Sequence, residues 1–564
     1  MPLPADVDLG TLYGASGVEA MSDPDADDLA EFDDGDDEDA GDRVLVPPVR
    51  LLEREELAAA ALRVPLFDRA IRLARWVGPQ RAVDEWGELG AELEQQAATE
   101  LEFGEGDEGL GEVARAWSLA VDLELIAVGD GEAGDGAEVA GTGEGLAALE
   151  TGDPEVVLDA WETAASIVAG TTVEAELDLG DLGAVAGESD TEAPTGDAAE
   201  ESEETEETEE EYALLEEARE QAEGLLDEAL QVLYEARAFA TTETEETIPL
   251  GVLSALLVVP DGEDPTEEML GDITSVMVAL DPMLQDLADI GILDYSPIDP
   301  TLFDESEADT EAGEASGAAV IGLPTEPFDP DLPVDETEAA RFGLARLTAL
   351  GVHQVRQWLL EDGYDAPLIG DHAQGTAEEL LEGIAGSANV LPEEEIAEWL
   401  VGREPLPAAA ELLAASRGND LVGPIRRMFC QAALIRLGAE AEPSVREVLG
   451  DPHLTGLATA WLVERGVADV AVPERPVVLW TTVDTLSAQL IDLGSEDPLF
   501  QESVERVVDE QEAEQLFAEL WRVDHPYTTA VLDAIGERHP DKATAKEARK
   551  AAYKARSRMG SQSK

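Results

Sequence analysis

Lys542, Lys546, Arg549, Lys550, Lys554, Arg556 and Arg558 are the residues of this chain whose type and spacing point most directly to chemistry. Intervals of three and four place most of them on one side of a helix, with Tyr553 among them, while Ala545, Ala548, Ala552 and Ala555 form another side. Such a face offers cations to an anionic partner: nucleic-acid phosphates, the carboxylates of an acidic protein, or the acidic remainder of the same chain. All five lysines lie in the last 23 residues. Residues 541–564 carry five Lys and three Arg against Asp541 and Glu547, a net +6, so the preceding 540 residues carry −102. A basic tail on so acidic a body selects an acidic partner at one end and rejects anions elsewhere.

Other chemistries find little support. The five histidines, His353, His372, His453, His525 and His539, form no His-x-x-x-His or His-Glu-x-x-His pair. With Cys430 the only cysteine, neither a disulfide framework nor a cysteine zinc site is available within one chain. Cys430 reads as a small buried residue on a helix. His525 and His539 each precede proline and read as closing a helix–helix turn, with a general-base role left open but no partner identifiable. The lysine-free body holds no Gly-x-x-x-x-Gly-Lys-Ser/Thr loop, and the glycines of 129–145 sit among Asp130, Asp135 and Glu138, which repel phosphate. No catalytic residue, cofactor or metal ligand is assigned.

The elements that must position these residues are mainly helical, because Ala, Leu and Val dominate the apolar residues and aromatic residues make up 5%. Acidic stretches with few large apolar groups are expected to be disordered over 1–45, 171–211, 301–336 and after Arg558. An ordered body over 46–170 should hold helices near 66–77, 81–98 and 110–124, then a hairpin of Leu125–Val128 with Val139–Ala140. Over 212–370 that order recurs in helices 212–239, 249–259 and 266–290. Residues 290–295 match 123–128 in apolar character, an acidic insertion covers 301–318, and Ala319–Leu323 is the expected return strand. Arg346–Gly351 then leads into a helix holding Val355, Trp358 and Leu359. Both bodies read as winged-helix-like units, with an ordinary helical bundle as the alternative for each. From 371 to 540, short helices with prolines at their starts suggest a HEAT-like α-solenoid, and 541–564 a basic helix and tail.

The segments Trp521–Pro526, His539–Lys542 and Ala548–Ser557, with Leu347-Thr348, Gly152-Asp153-Pro154 and Trp161, resemble large uncharacterised proteins of high-GC actinobacteria. The resemblance implies a bacterial cytoplasm and imports no active-site residue. The N-terminus lacks a signal-peptide pattern, and the longest apolar run, near 252–259, is far short of the ~20 residues a bilayer requires. The expected function is a non-enzymatic scaffold or adaptor with a protein partner and no membrane contact. The alternative is a DNA-associated regulator using the winged-helix-like units or the basic tail. The third helix of the first unit argues against DNA, since Arg115 is its only base against Glu112, Asp122 and Glu124.

Overall fold

A computed structural model describes residues 44–84, 86–130, 138–185, 203–240, 246–260, 265–298, 342–387, 389–510 and 513–562. It is mainly helical, and the described residues divide into two compact units, 44–366 and 367–562. Among them no helix is long and apolar enough to cross a membrane.

The first unit opens with α1 (Arg54–Ala61) and α2 (Pro65–Val77), then β1 (Arg81–Ala82), α3 (Ala91–Glu100), α4 (Gly106–Asp122), β2 (Ile126–Asp130) and β3 (Glu138–Thr142). α5 (Glu144–Leu149) and α6 (Pro154–Val185) follow. The pattern then returns in α7 (Glu203–Phe239), β4 (Ile248–Pro249), α8 (Leu250–Val258), α9 (Glu267–Asp289), β5 (Leu293–Ile298) and β6 (Phe342–Leu347), closed by α10 (Ala349–Glu361). Each repeat is helix, strand, helix, helix, strand, strand, and each builds a three-stranded antiparallel sheet in which its last strand is central: β1-β3-β2 and β4-β6-β5.

The two repeats turn the corner after their third helix in the same way. Glu124 and Gly291 hold φ of 54° and 84°, and the following amides reach back five residues, Leu125 N to Ala120 O at 2.8 Å and Ile292 N to Leu287 O at 2.9 Å. That is a helix ended by a left-handed residue, its orphan carbonyls satisfied. Residues 123–128 and 290–295, matched by apolar character in sequence, thus occupy equivalent places. The chain later returns over this corner at close range: a Cβ on Gly143 would lie 1.9 Å from Glu124 O, and one on Gly351 2.0 Å from Ile292 O. Gly351→Ala is therefore expected to cost about 1–3 kcal/mol, the range for overpacking a close contact. Chemical denaturation followed by circular dichroism measures it, and an unchanged midpoint would refute the tight corner.

Several sequence expectations change. The helix over 81–98 is instead a two-residue strand, a turn and α3. Asp84 Oδ1 accepts the amides of Trp86 and Glu88, both at 2.9 Å, which holds the chain in a side-chain-stabilised turn and leaves Trp86 81% exposed. The return strand of the second repeat is Phe342–Leu347, pairing Leu293 with Leu347, whereas 319–323, the insertion 301–318 and all of 301–336 lie outside the described residues. The linker over 171–211 is helical through Val185 and again from Glu203, with only 186–202 outside the description, because α6 and α7 pack on one another and are longer than composition suggests. The helix after Arg558 runs on to Gln562. Residues 1–43 are likewise outside the description; Leu45 bridges Asp365 in parallel, with Val46 N donating to Asp365 O at 3.1 Å.

The two bodies read from sequence as 46–170 and 212–370 are one compact unit. α6 joins them, packing on α1, α7 and α9. Trp161 of α6 is fully buried and donates its indole N–H to Ile290 O at 2.9 Å, satisfying a carbonyl at the end of α9. His353 of α10 meets Glu162 of α6 at 2.7 Å.

The second unit is a chain of helices: α11 (Ala377–Gly386), α12 (Pro392–Leu400), α13 (Pro405–Ala415), α14 (Gly423–Leu437), α15 (Glu442–Glu447), α16 (Thr455–Glu464), α17 (Arg475–Leu493), α18 (Pro498–Glu510), α19 (Ala513–Leu520), α20 (Thr528–Arg538) and α21 (Lys542–Gln562). Prolines open several of them, where the missing N–H costs nothing. The principal contacts of each helix are with helices one to three places away along the chain. Two apolar cores result. One runs from Ala377 to Ala488 around Trp399 and Trp461, the other from Leu479 to Ala555 around Phe500 and Phe517, and α17 walls both.

Candidate functional site

The terminal helix α21 begins where Asp541, following His539-Pro540, accepts the Thr544 amide at 2.8 Å, the usual way a carboxylate caps orphan N–H groups. This holds the Asp541 carboxyl below its usual range. Alanine, the best helix former, then recurs so that Ala548, Ala551, Ala552 and Ala555 are buried in the second core, largely on α20, and Ala545 is buried too. Gly536 lets the two helices approach closely: Arg549 donates to its carbonyl, and a Cβ there would meet Arg549 Cγ at 2.6 Å.

At about 100° per residue, Lys542, Lys546, Arg549, Lys550 and Tyr553 fall in an arc of about 100° opposite the alanines. All five are exposed, Tyr553 by 73%. Of the seven cations singled out in sequence, three reach carboxylates: Lys550 with Glu547 at 2.5 Å, Arg556 with Asp533 at 2.7 Å and Arg558 with Asp524 at 3.9 Å. Lys554 lies 5.9 Å from the centre of the Trp521 ring. Among the described residues, Lys542, Lys546 and Lys554 form no ion pair, although Lys546 and Lys554 lie near enough to help lower the Glu547 carboxyl, after the larger effect of its bond to Lys550. Pairing with the acidic body is thus realised at the helix edges and not on its outward face. Removing residues 541–564 would also strip the alanine face off the second core, so substitution of the lysines is the cleaner probe.

A buried polar cluster lies elsewhere in the same unit, and its members were not brought together by sequence reasoning. Arg427 of α14 donates to Asp484 of α17 through Nε at 2.8 Å and Nη2 at 2.5 Å. Its Nη1 donates to Gly418 O at 2.8 Å. His525, between α19 and α20, lies with Nε2 3.0 Å from Asp484 Oδ1, while its Nδ1 accepts the Tyr527 amide at 3.2 Å. Trp480 covers the cluster, with the Arg427 guanidinium 5.0 Å from its ring centre and the His525 ring 5.1 Å away edge-on. Burial raises the Asp484 carboxyl, but the hydrogen bonds and charges of Arg427 and His525 outweigh it and hold the group below its ordinary value. The side chain of His525 is wholly enclosed and that of Arg427 nearly so. The geometry suits fastening three elements together.

The turn-closing role read for the two His-Pro pairs is what both make, since His539 Nδ1 accepts the Asp541 amide at 3.1 Å. Cys430 is fully buried in α14, its thiol pushed up to about 12 by burial. Among the described residues no group of His, Cys, Asp and Glu is arranged to hold a metal ion.

In the first unit the third helices of the two repeats meet through charge. Arg115, the only base of α4, reaches Asp286 Oδ1 at 2.8 Å and Asp289 Oδ2 at 2.6 Å on α9. Comparisons with protein-family models, with curated proteins and with solved structures find no match for this chain.

Proposed function

We propose that the protein is a non-catalytic scaffold that binds other proteins through two winged-helix-like units and a HEAT-like helical array. Support for winged-helix-like units comes from the shared order of elements and the central position of the last strand in each sheet. Packing between near neighbours along the chain supports a HEAT-like array, an architecture that offers extended surface to partners.

The observation that carries the choice of protein over duplex DNA is the pairing of Arg115 with Asp286 and Asp289. A winged helix that reads DNA needs cations on its third helix free to meet phosphate. Here the only base on α4 is already held between two carboxylates, beside Glu112 and Asp122. The α9 helix contributes acids and no base.

Cross-linking of the full chain in its native cells, followed by mass spectrometry, tests the reading. The expected result is a stoichiometric protein partner linked to 44–366 or to 367–540. In parallel, Arg115→Ala should leave duplex affinity at its weak, non-specific level. Micromolar or tighter duplex binding at about 150 mM salt that is lost in this variant would replace the scaffold with a DNA-binding regulator.

A further inference from the structure

We propose that the outward face of α21 binds single-stranded nucleic acid, a property independent of the scaffold reading. Four of the five lysines in 564 residues, Lys542, Lys546, Lys550 and Lys554, project from this helix, and three of them form no ion pair among the described residues. Tyr553 stands 73% exposed in their midst, next to Lys554 and one turn from Arg549 and Lys550. The span from Lys542 to Lys554 is about 18 Å at 1.5 Å per residue, the length of about five nucleotides in a fully stacked strand at 3.4 Å of rise and of fewer in an extended one. Cations that track a backbone, with an aromatic ring on which a base can stack, are the two parts of a sequence-tolerant single-strand site.

The acidic remainder of the chain does not forbid this. Charges more than about 8 Å away are largely screened at physiological ionic strength, so a polyanion at this face meets the local field first. Glu547 is the one acid on the helix beyond its cap, and it already engages Lys550. An acidic protein segment would satisfy the same lysines and use the tyrosine only through its hydroxyl, as Asp281 does with Tyr295 at 2.6 Å, leaving the ring face idle. A base gains from it directly.

The test uses the full chain and fluorescein-labelled oligodeoxythymidylate and oligouridylate of about 15 nucleotides, read by anisotropy. With about four phosphate contacts, affinity should fall about fiftyfold between ~50 and ~200 mM salt. Replacing Lys542, Lys546, Lys550 and Lys554 together by glutamine should weaken binding by about a hundredfold or more. Tyr553→Ala should weaken it about tenfold without changing the salt dependence, and Tyr553→Phe should restore it. These side chains are exposed, so thermal melts of the variants should match the parent. No oligonucleotide binding at ~50 mM salt, or binding that survives the glutamine variant, overturns the proposal. Polyglutamate that competes equally, with Tyr553→Ala indistinguishable from the parent, overturns it in favour of an acidic protein partner. A partner retained by the glutamine variant would leave the scaffold reading standing in any of these cases.

Discussion

Replacing Asp484 by alanine is expected to lower the stability of the second unit by about 3–5 kcal/mol, because it leaves the Arg427 guanidinium buried with no counter-charge. Asp484 lies on α17, the helix that walls both cores, and it holds Arg427 from the first and His525 from the second. The loss should therefore appear in both halves of the helical array. Hydrogen exchange that rises in α14 and also in α20 would show it; exchange confined to one helix would sink the idea that this cluster fastens the two cores. Replacing the charged pair together, Arg427→Met with Asp484→Leu, should recover part of the loss, since no buried charge is then unpaired. Recovery should stay incomplete because His525 Nε2 loses its partner, an omission worth about 1–3 kcal/mol.

The pH dependence has a definite sign. The Asp484 carboxyl titrates lower in the folded chain than the ~3.9 of an unfolded aspartate, so its contribution is present above about pH 4 and disappears as pH falls through the depressed folded value. Asp484→Asn should thus flatten part of the acid limb of a stability–pH curve. An acid limb unchanged in this variant would show that Asp484 is not linked to folding.

Trp161→Ala should cost about 3–5 kcal/mol for the lost side-chain burial, and more because Ile290 O is left without its indole donor. The position matters for architecture as well as for magnitude. Trp161 stands on α6, after the first repeat, yet the carbonyl it satisfies ends α9 of the second. We expect faster hydrogen exchange in α9 and β5 together with α6. Trp161→Phe should separate the two contributions, keeping much of the packing while losing the hydrogen bond. If only α6 loses protection in Trp161→Ala, the repeats are independent bodies and the single unit described above is wrong.

Much of the local structure was legible in the sequence because its causes are local. Thr266 before α9 and Thr348 before α10 cap their helices by accepting the amides of Met269 and Gly351, signals carried within a few residues. The apolar match between 123–128 and 290–295 located the corner after each third helix, since strand alternation and helix termination both write themselves into adjacent residues. The alanine and lysine periodicity of α21 likewise announced both of its faces. Where a side chain overrode the periodic pattern, as Asp84 does by taking two amides before α3, the reading failed.

By itself, then, the amino-acid sequence determined a mainly helical chain, its repeated order of elements and a cationic helix at its end, all consequences of propensity, period and charge. Only the tertiary structure decided that the two repeats form one body through Trp161, that Arg115 is already occupied by Asp286 and Asp289, and that Arg427, Asp484 and His525 meet. Those contacts join residues 41 to 174 positions apart. No short-range pattern encodes such pairings, because they depend on how buried faces stack and not on neighbours in the chain.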